Sequence, residues 1–147
     1  MKLIKNLLKL SISIVVYGLV LSLQTSAQTP TKKEYKFESV SKGIVGEYGY
    51  TEVFQTADGQ ILIEGTGLRK TKKAAKTEFR DKIKQAVKVI DGSKENEQNS
   101  RRAVLDLGDR VKRRYLIVEY DGNRNIKYIA AENLTIALEF EKWGKSE

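Results

Sequence analysis

Between residues 48 and 90 the apolar residues change period once, and that change limits the fold more than any other feature. YGYTEVFQT and QILIEGTG are rich in aromatic and β-branched residues, and Ala57-Asp58-Gly59 separates them. Asp-Gly supplies the positive φ angles of a tight hairpin turn, so the two segments read as paired strands. Past Gly65 and Gly67, which fit a strand end and a sharp turn, the spacing lengthens. Ala75, Phe79, Ile83, Ala86, Val87 and Ile90 then form one apolar stripe, which predicts a helix from about Thr71 to Ile90, ended by Asp91-Gly92.

The flanking segments are mostly extended. EYKFESV predicts a short strand, and the glycines at 43, 46 and 49 a turn or a bulged strand. DGSKENEQNS, residues 91–100, has no apolar residue and reads as a loop. RRAVLDLGDRVKRR admits a short helix ending near Gly108 or a strand turning at Gly108-Asp109; the strand is preferred, because AVLDL and RVKRRYLIVEY both tolerate extension. YLIVEY and IKYIAA are strands joined by the turn formers Asp121 to Asn125. In NLTIALEFEKW, Leu134, Ile136, Leu138 and Phe140 alternate with Thr135, Ala137, Glu139 and Glu141, which favours a half-buried strand. A helix there would group Ile136, Phe140 and Trp143, so that reading stays open. The expected fold is α+β: an antiparallel β-sheet, made of an N-terminal hairpin plus a C-terminal meander, with one long amphipathic helix packed across one face. A single domain over residues 34–143 is expected, with a tail at 144–147.

The N-terminus has a different purpose. Lys2, Lys5 and Lys9 precede the apolar run LSISIVVYGLVLSL, and Thr25 and Ala27 then stand at the small-x-small spacing of a signal-peptidase site. Residues 1–27 therefore read as a secretory signal cleaved between Ala27 and Gln28, with residues 28–33 a disordered leader. The apolar run is shorter than the roughly 20 residues that span a bilayer. Export to the periplasm or beyond is expected, with no membrane anchor after cleavage. The 27 Lys and Arg fall to 24 when Lys2, Lys5 and Lys9 leave, against 19 Asp and Glu, so the remaining 120 residues carry +5.

Composition narrows the chemistry. The chain has no histidine and no cysteine, which removes imidazole acid–base catalysis, thiol nucleophiles and most zinc sites. No catalytic residue, cofactor or metal site is expected. Carboxylates alone remain for hydrolysis, with Glu119, Glu139 and Glu141 as candidates, and nothing in the sequence pairs any two of them.

The strongest charge feature is RKTKKAAKTEFRDKIK. Arg69, Lys70, Lys72, Lys73, Lys76, Arg80, Lys84 and Lys88 are candidates for an anion-binding helix face. Lysines near a helix N-terminus oppose the helix dipole, although a simple solvated face accounts for them as well. Tyr48-Gly49-Tyr50 resembles the core of the first ribonucleoprotein signature of RNA-recognition domains, whose strand aromatics stack bases. Glu47, Thr51 and Val53 depart from that signature, and nucleic acid is not the expected partner. The expectation is a small exported envelope protein, a non-catalytic binding or structural domain acting on a protein partner. One alternative is an anion-binding module directed at lipopolysaccharide, acidic glycan or nucleic acid; another is a carboxylate-dependent hydrolase.

Overall fold

The computed structural model describes residues 34–47, 49–92 and 100–146. The signal segment, the Ala27–Gln28 junction, the leader, Tyr48 and most of the predicted 91–100 loop lie outside the described residues. Residues 35–147 form one compact unit. Among the described residues, no helix is long and apolar enough to cross a membrane.

Among the described residues the unit is a seven-stranded antiparallel sheet with two helices, broadly α+β. Its strands are β1 (Phe37–Val45), β2 (Gly49–Thr56), β3 (Ile61–Leu68), β4 (Lys88–Gly92), β5 (Arg101–Asp106), β6 (Tyr115–Tyr120) and β7 (Asn125–Ala131). Helix α1 (Lys72–Gln85) follows β3, and α2 (Leu134–Trp143) follows β7. The sheet order is β1-β2-β3-β7-β6-β5-β4. Two meanders thus meet where β3 pairs with β7, and α1 carries the chain from the middle of the sheet to its far edge.

The hairpin forms where Asp58-Gly59 predicts it. Gly59 takes φ 83°, and Thr56 Oγ1 donates to Asp58 while accepting from the Gln60 N–H at 3.0 Å. The glycine-rich segment holds a turn, at Gly46, φ 68°, while the bulge of β1 lies upstream of it, the register slipping between Ser39 and Ser41. Residues 101–106 are a strand, and the chain leaves it through Gly108, φ 89°.

Three expectations are corrected. First, the helix stops at Gln85, five residues short of Ile90. Thr71 caps its start, accepting the Ala74 N–H at 3.0 Å, and Ala75 and Phe79 are buried as the stripe requires. Beyond Ala86, however, Val87, Val89 and Ile90 are β-branched. The Val87 N–H donates to the Asp106 carbonyl and Val89 pairs with Leu105, ahead of a register slip at Ile90, and this pairing with β5 outweighs one more helical turn. Second, NLTIALEFEKW is a helix. Its buried side chains Ile136, Ala137 and Phe140 are spaced for a helix, and Asn133 caps it by accepting the Thr135 N–H at 2.8 Å and the Ile136 N–H at 3.3 Å. Third, the helices cover both faces. Strand alternation sends Leu105, Leu116, Val118 and Ile126 to α1 and Val104, Ile117, Ile129 and Ala131 to α2. Ala103, Val104 and Leu105 of β5 and Leu116, Ile117 and Val118 of β6 are therefore consecutive buried apolar residues, as a strand segment covered on both sides requires.

The Asn133 cap is directly testable. Asn133→Ala leaves two N–H groups of the first turn unpaired and is expected to remove about 1 kcal/mol of stability in urea unfolding. An unchanged midpoint would mean that the side chain does not cap α2.

Candidate functional site

The predicted basic face is real in part. Lys70, Lys72, Lys73 and Arg80 are exposed on or beside α1. Two of its expected members are elsewhere. Arg69 folds back over β3, where its Nη2 donates to Glu78 Oε1 at 2.8 Å and its Nε to the other oxygen. Glycine at 67 makes room, since a Cβ there would lie 2.2 Å from Arg69 Nη1. The Tyr128 hydroxyl also donates to Glu78, and burial followed by this contact pushes the phenol up. Arg69's hydrogen bonds, with help from Tyr128, outweigh burial and hold Glu78 below the usual carboxylate range. Arg69 thus ties β3 to α1, and its main chain is tied to Arg124 in both directions. Lys88 lies on β4, not on the helix. Lys84 stays on the helix and pairs with Asp81 at 3.7 Å in the open. A groove of about 710 Å³ runs along α1, its described lining, including Ala74, Glu78, Asp81 and Lys82, coming from that helix and its cap.

The carboxylates sort differently from the expectation. Glu119 and Glu141 come together, and Glu139 does not join them. Arg102, Glu119 and Lys127 lie side by side across β5, β6 and β7 on the α2 face, a row of alternating charge that cross-strand pairing favours. Glu141 reaches this row from α2. It accepts Arg102 Nε at 2.5 Å and Nη2 at 2.6 Å, and pairs with Lys145 at 3.3 Å. Arg102 also reaches Asp91 on β4 at 2.9 Å, and Lys127 holds Glu64. Burial pushes Glu119 up, and the negative charge of Glu141 beside it adds to this against Lys145 and Lys127. Burial acts on Glu141 in the same direction, but the Arg102 hydrogen bonds and Lys145 outweigh it and leave that carboxyl low. The arrangement is a clasp fastening the C-terminal end of α2 to the sheet. Both oxygens of Glu141 are engaged by cations, so the pair is not presented as a free acid and base.

What the domain does present is apolar. Val40, Ile44, Val45 and Tyr50 are exposed at one sheet edge, and Val87, Val89, Ile90 and Val111 at the other. At the first edge the polar neighbours are locked. Ile44 lies opposite Tyr50 and Lys42 opposite Glu52; Tyr50 donates to Glu52 at 2.6 Å and Lys42 pairs with it at 3.0 Å. Hydrogen bonds from Ser39 and Tyr50, then Lys42, hold Glu52 at about 2, so this carboxylate stays charged and fixes the ring beside Ile44. The sequence pattern missed this corner because β1 alternates imperfectly across its bulge. An apolar IV dipeptide just before Gly46 was the available signal.

Among the described residues no three Asp or Glu side chains converge as a metal-holding group. No family model matches the chain, and no curated protein and no solved structure is significantly similar to it.

Proposed function

We propose that the chain is a small exported envelope protein, directed outward by residues 1–27, whose folded domain is non-catalytic and binds a protein partner through the corner formed by β1 and β2. The observation that carries this reading is the exposure of Ile44, 82 %, and Val45, 61 %, on a terminal strand. Apolar side chains grouped in this way gain free energy when a partner covers them. Tyr50 and the Lys42–Glu52 pair supply a preformed polar rim, so little side-chain entropy is lost on contact. The outer side of β1 has no partner strand among the described residues, which leaves its backbone open to a strand from another chain.

The alternative of an anion-binding helix is weakened by the loss of Arg69 and Lys88 from that face, and the hydrolase alternative by the engagement of Glu141 with Arg102 and Lys145. A photo-crosslinking residue at Ile44 is expected to give one discrete adduct in intact cells, absent when it is placed at Lys142 on the outer side of α2. Ile44→Glu should abolish co-purification of the protein so identified. Equal adducts from both positions would sink the binding corner. A mature chain beginning at Gln28 in the envelope fraction is expected by mass spectrometry; an uncleaved cytoplasmic chain would overturn export.

A further inference from the structure

The opposite edge of the sheet combines exposed valines with a group of cations. Val87 immediately precedes β4, Val89 lies within it, and Val111 lies in the turn between β5 and β6. That turn stands against the strand: a Cβ on Gly108 would come within 2.9 Å of Val87 Cγ2, and the Val87 N–H donates to the Asp106 carbonyl at 2.8 Å. Lys84 from the last turn of α1, Lys88 from β4, and Arg110, Lys112 and Arg113 from the turn belong to the same end.

The carboxylates of this end are already engaged. Arg114 holds Asp106 and Asp109, Arg102 holds Asp91, and Lys84 pairs with Asp81. The Arg114 hydrogen bonds, and then the Gly108 N–H, keep Asp106 at about 2, so Lys88 opposite it faces a carboxylate that is neutralised already. Among the described residues no ion pair takes up Arg110, Lys112 or Arg113.

We propose that this end of the domain docks on an anionic lipid surface, with Lys88, Arg110 and Lys112 meeting the phosphates and Val87, Val89 and Val111 entering the interface. Charge complementarity selects an anionic partner, and the form of the surface selects a lipid layer over a peptide. The patch is a turn beside a strand end, and none of its valines or turn cations lines the groove along α1. As a template for an added strand β4 is blunted, being five residues long, carrying Lys88, and slipping register between Val89 and Asp91. A bilayer needs only cations around an apolar centre, and each cation near an anionic leaflet multiplies the partition by about fivefold. This surface is separate from the β1–β2 corner, so either assignment can fail alone.

The test uses residues 28–147, the mature form proposed above, which contain every described residue of both buried clusters, and co-sedimentation with lipid vesicles. Binding is expected to phosphatidylcholine vesicles carrying about one third phosphatidylglycerol and not to phosphatidylcholine alone. It should weaken more than about tenfold between roughly 0.05 and 0.3 M salt. Arg110→Glu with Lys112→Glu, both at exposed positions, should lower it more than about tenfold, and Val111→Ser severalfold. Lys72→Glu with Lys73→Glu, on the exposed N-terminal turn of α1, should leave it within about twofold, and circular dichroism checks that every variant is folded. The proposal is overturned by equal binding to neutral vesicles, by indifference to the Arg110/Lys112 reversal or to Val111→Ser, by loss on the Lys72/Lys73 reversal, or by capture of polyglutamate without vesicles.

Discussion

Replacing Phe140 with alanine is expected to remove about 3–5 kcal/mol of stability, lowering Tm by roughly 10–25 °C in a domain of this size. Phe140 is 2 % exposed and is the ring on which the α2 side of the core converges. Its centroid lies 4.6 Å from Phe54, 5.1 Å from Phe37 and 5.4 Å from Trp143. Truncation leaves a void among side chains anchored on α2, β1 and β2, and strands held in a continuous ladder cannot close inward to fill it. Trp143 is the only tryptophan of the chain, so its fluorescence reports the unfolding of this cluster directly. A loss under about 1 kcal/mol would mean that α2 does not pack on the sheet.

Arg102→Ala is expected to cost about 2–3 kcal/mol near neutral pH and distinctly less in mild acid, the partial exposure of Arg102 keeping it below a fully buried pair. Without the guanidinium, Glu141 and Glu119 face each other with mainly Lys145 and Lys127 to offset them, and two adjacent carboxylates resist ionising together. The sign follows from the native protein. Glu119 already sits above its ordinary value, so its contribution to stability is complete below the ordinary carboxylate range and is lost as pH rises through the raised value. Removing Arg102 puts Glu141 in the same position, and the deficit therefore grows with pH across that window. Glu52 and Asp106, each held at about 2, act in the other direction. They stabilise above the ordinary range, and that contribution disappears as pH falls toward about 2. Urea unfolding at about pH 5 and about pH 8 checks the prediction, and Glu119→Gln in the Arg102→Ala background should recover part of the loss at the higher pH. A deficit equal at both pH values would mean that Arg102 acts by packing alone.

Local signals were legible and long-range ones were not. Asp58-Gly59 marks its hairpin because the turn chemistry is complete within two residues. The start of α1 is marked by the change of period, yet its end is hidden, because Ala86, Val87 and Ile90 extend the helical stripe while Val87 and Val89 also fit an edge strand. Only the presence of β5 decides between them. In α2, Leu134, Ile136, Leu138 and Phe140 satisfy both periods over so short a span, and Asn133 as a cap was the discriminating residue. Once that segment is a helix, the sheet has a second covered face, and the consecutive apolar residues 103–105 of β5 and 116–118 of β6 follow. The candidate site suffered most. Charge content showed where the cations are dense, but nothing local says that Glu78 holds Arg69 or that Glu141 meets Glu119 and Arg102.

The pairing of β3 with β7 also sets an order of events as the chain folds. Leu62 meets Ala131, 69 residues further along, and no earlier strand can take that place in the ladder. The first meander, β1 to β3, therefore has an unfinished side until β7 is present, and its apolar face waits for α2, which follows β7. Loops of that length close slowly, so folding on the millisecond-to-second scale is expected. A sheet whose two halves join through β7 leaves β3 unpaired on one side until β7 is present, and under the export proposed above that delay favours crossing a membrane before folding.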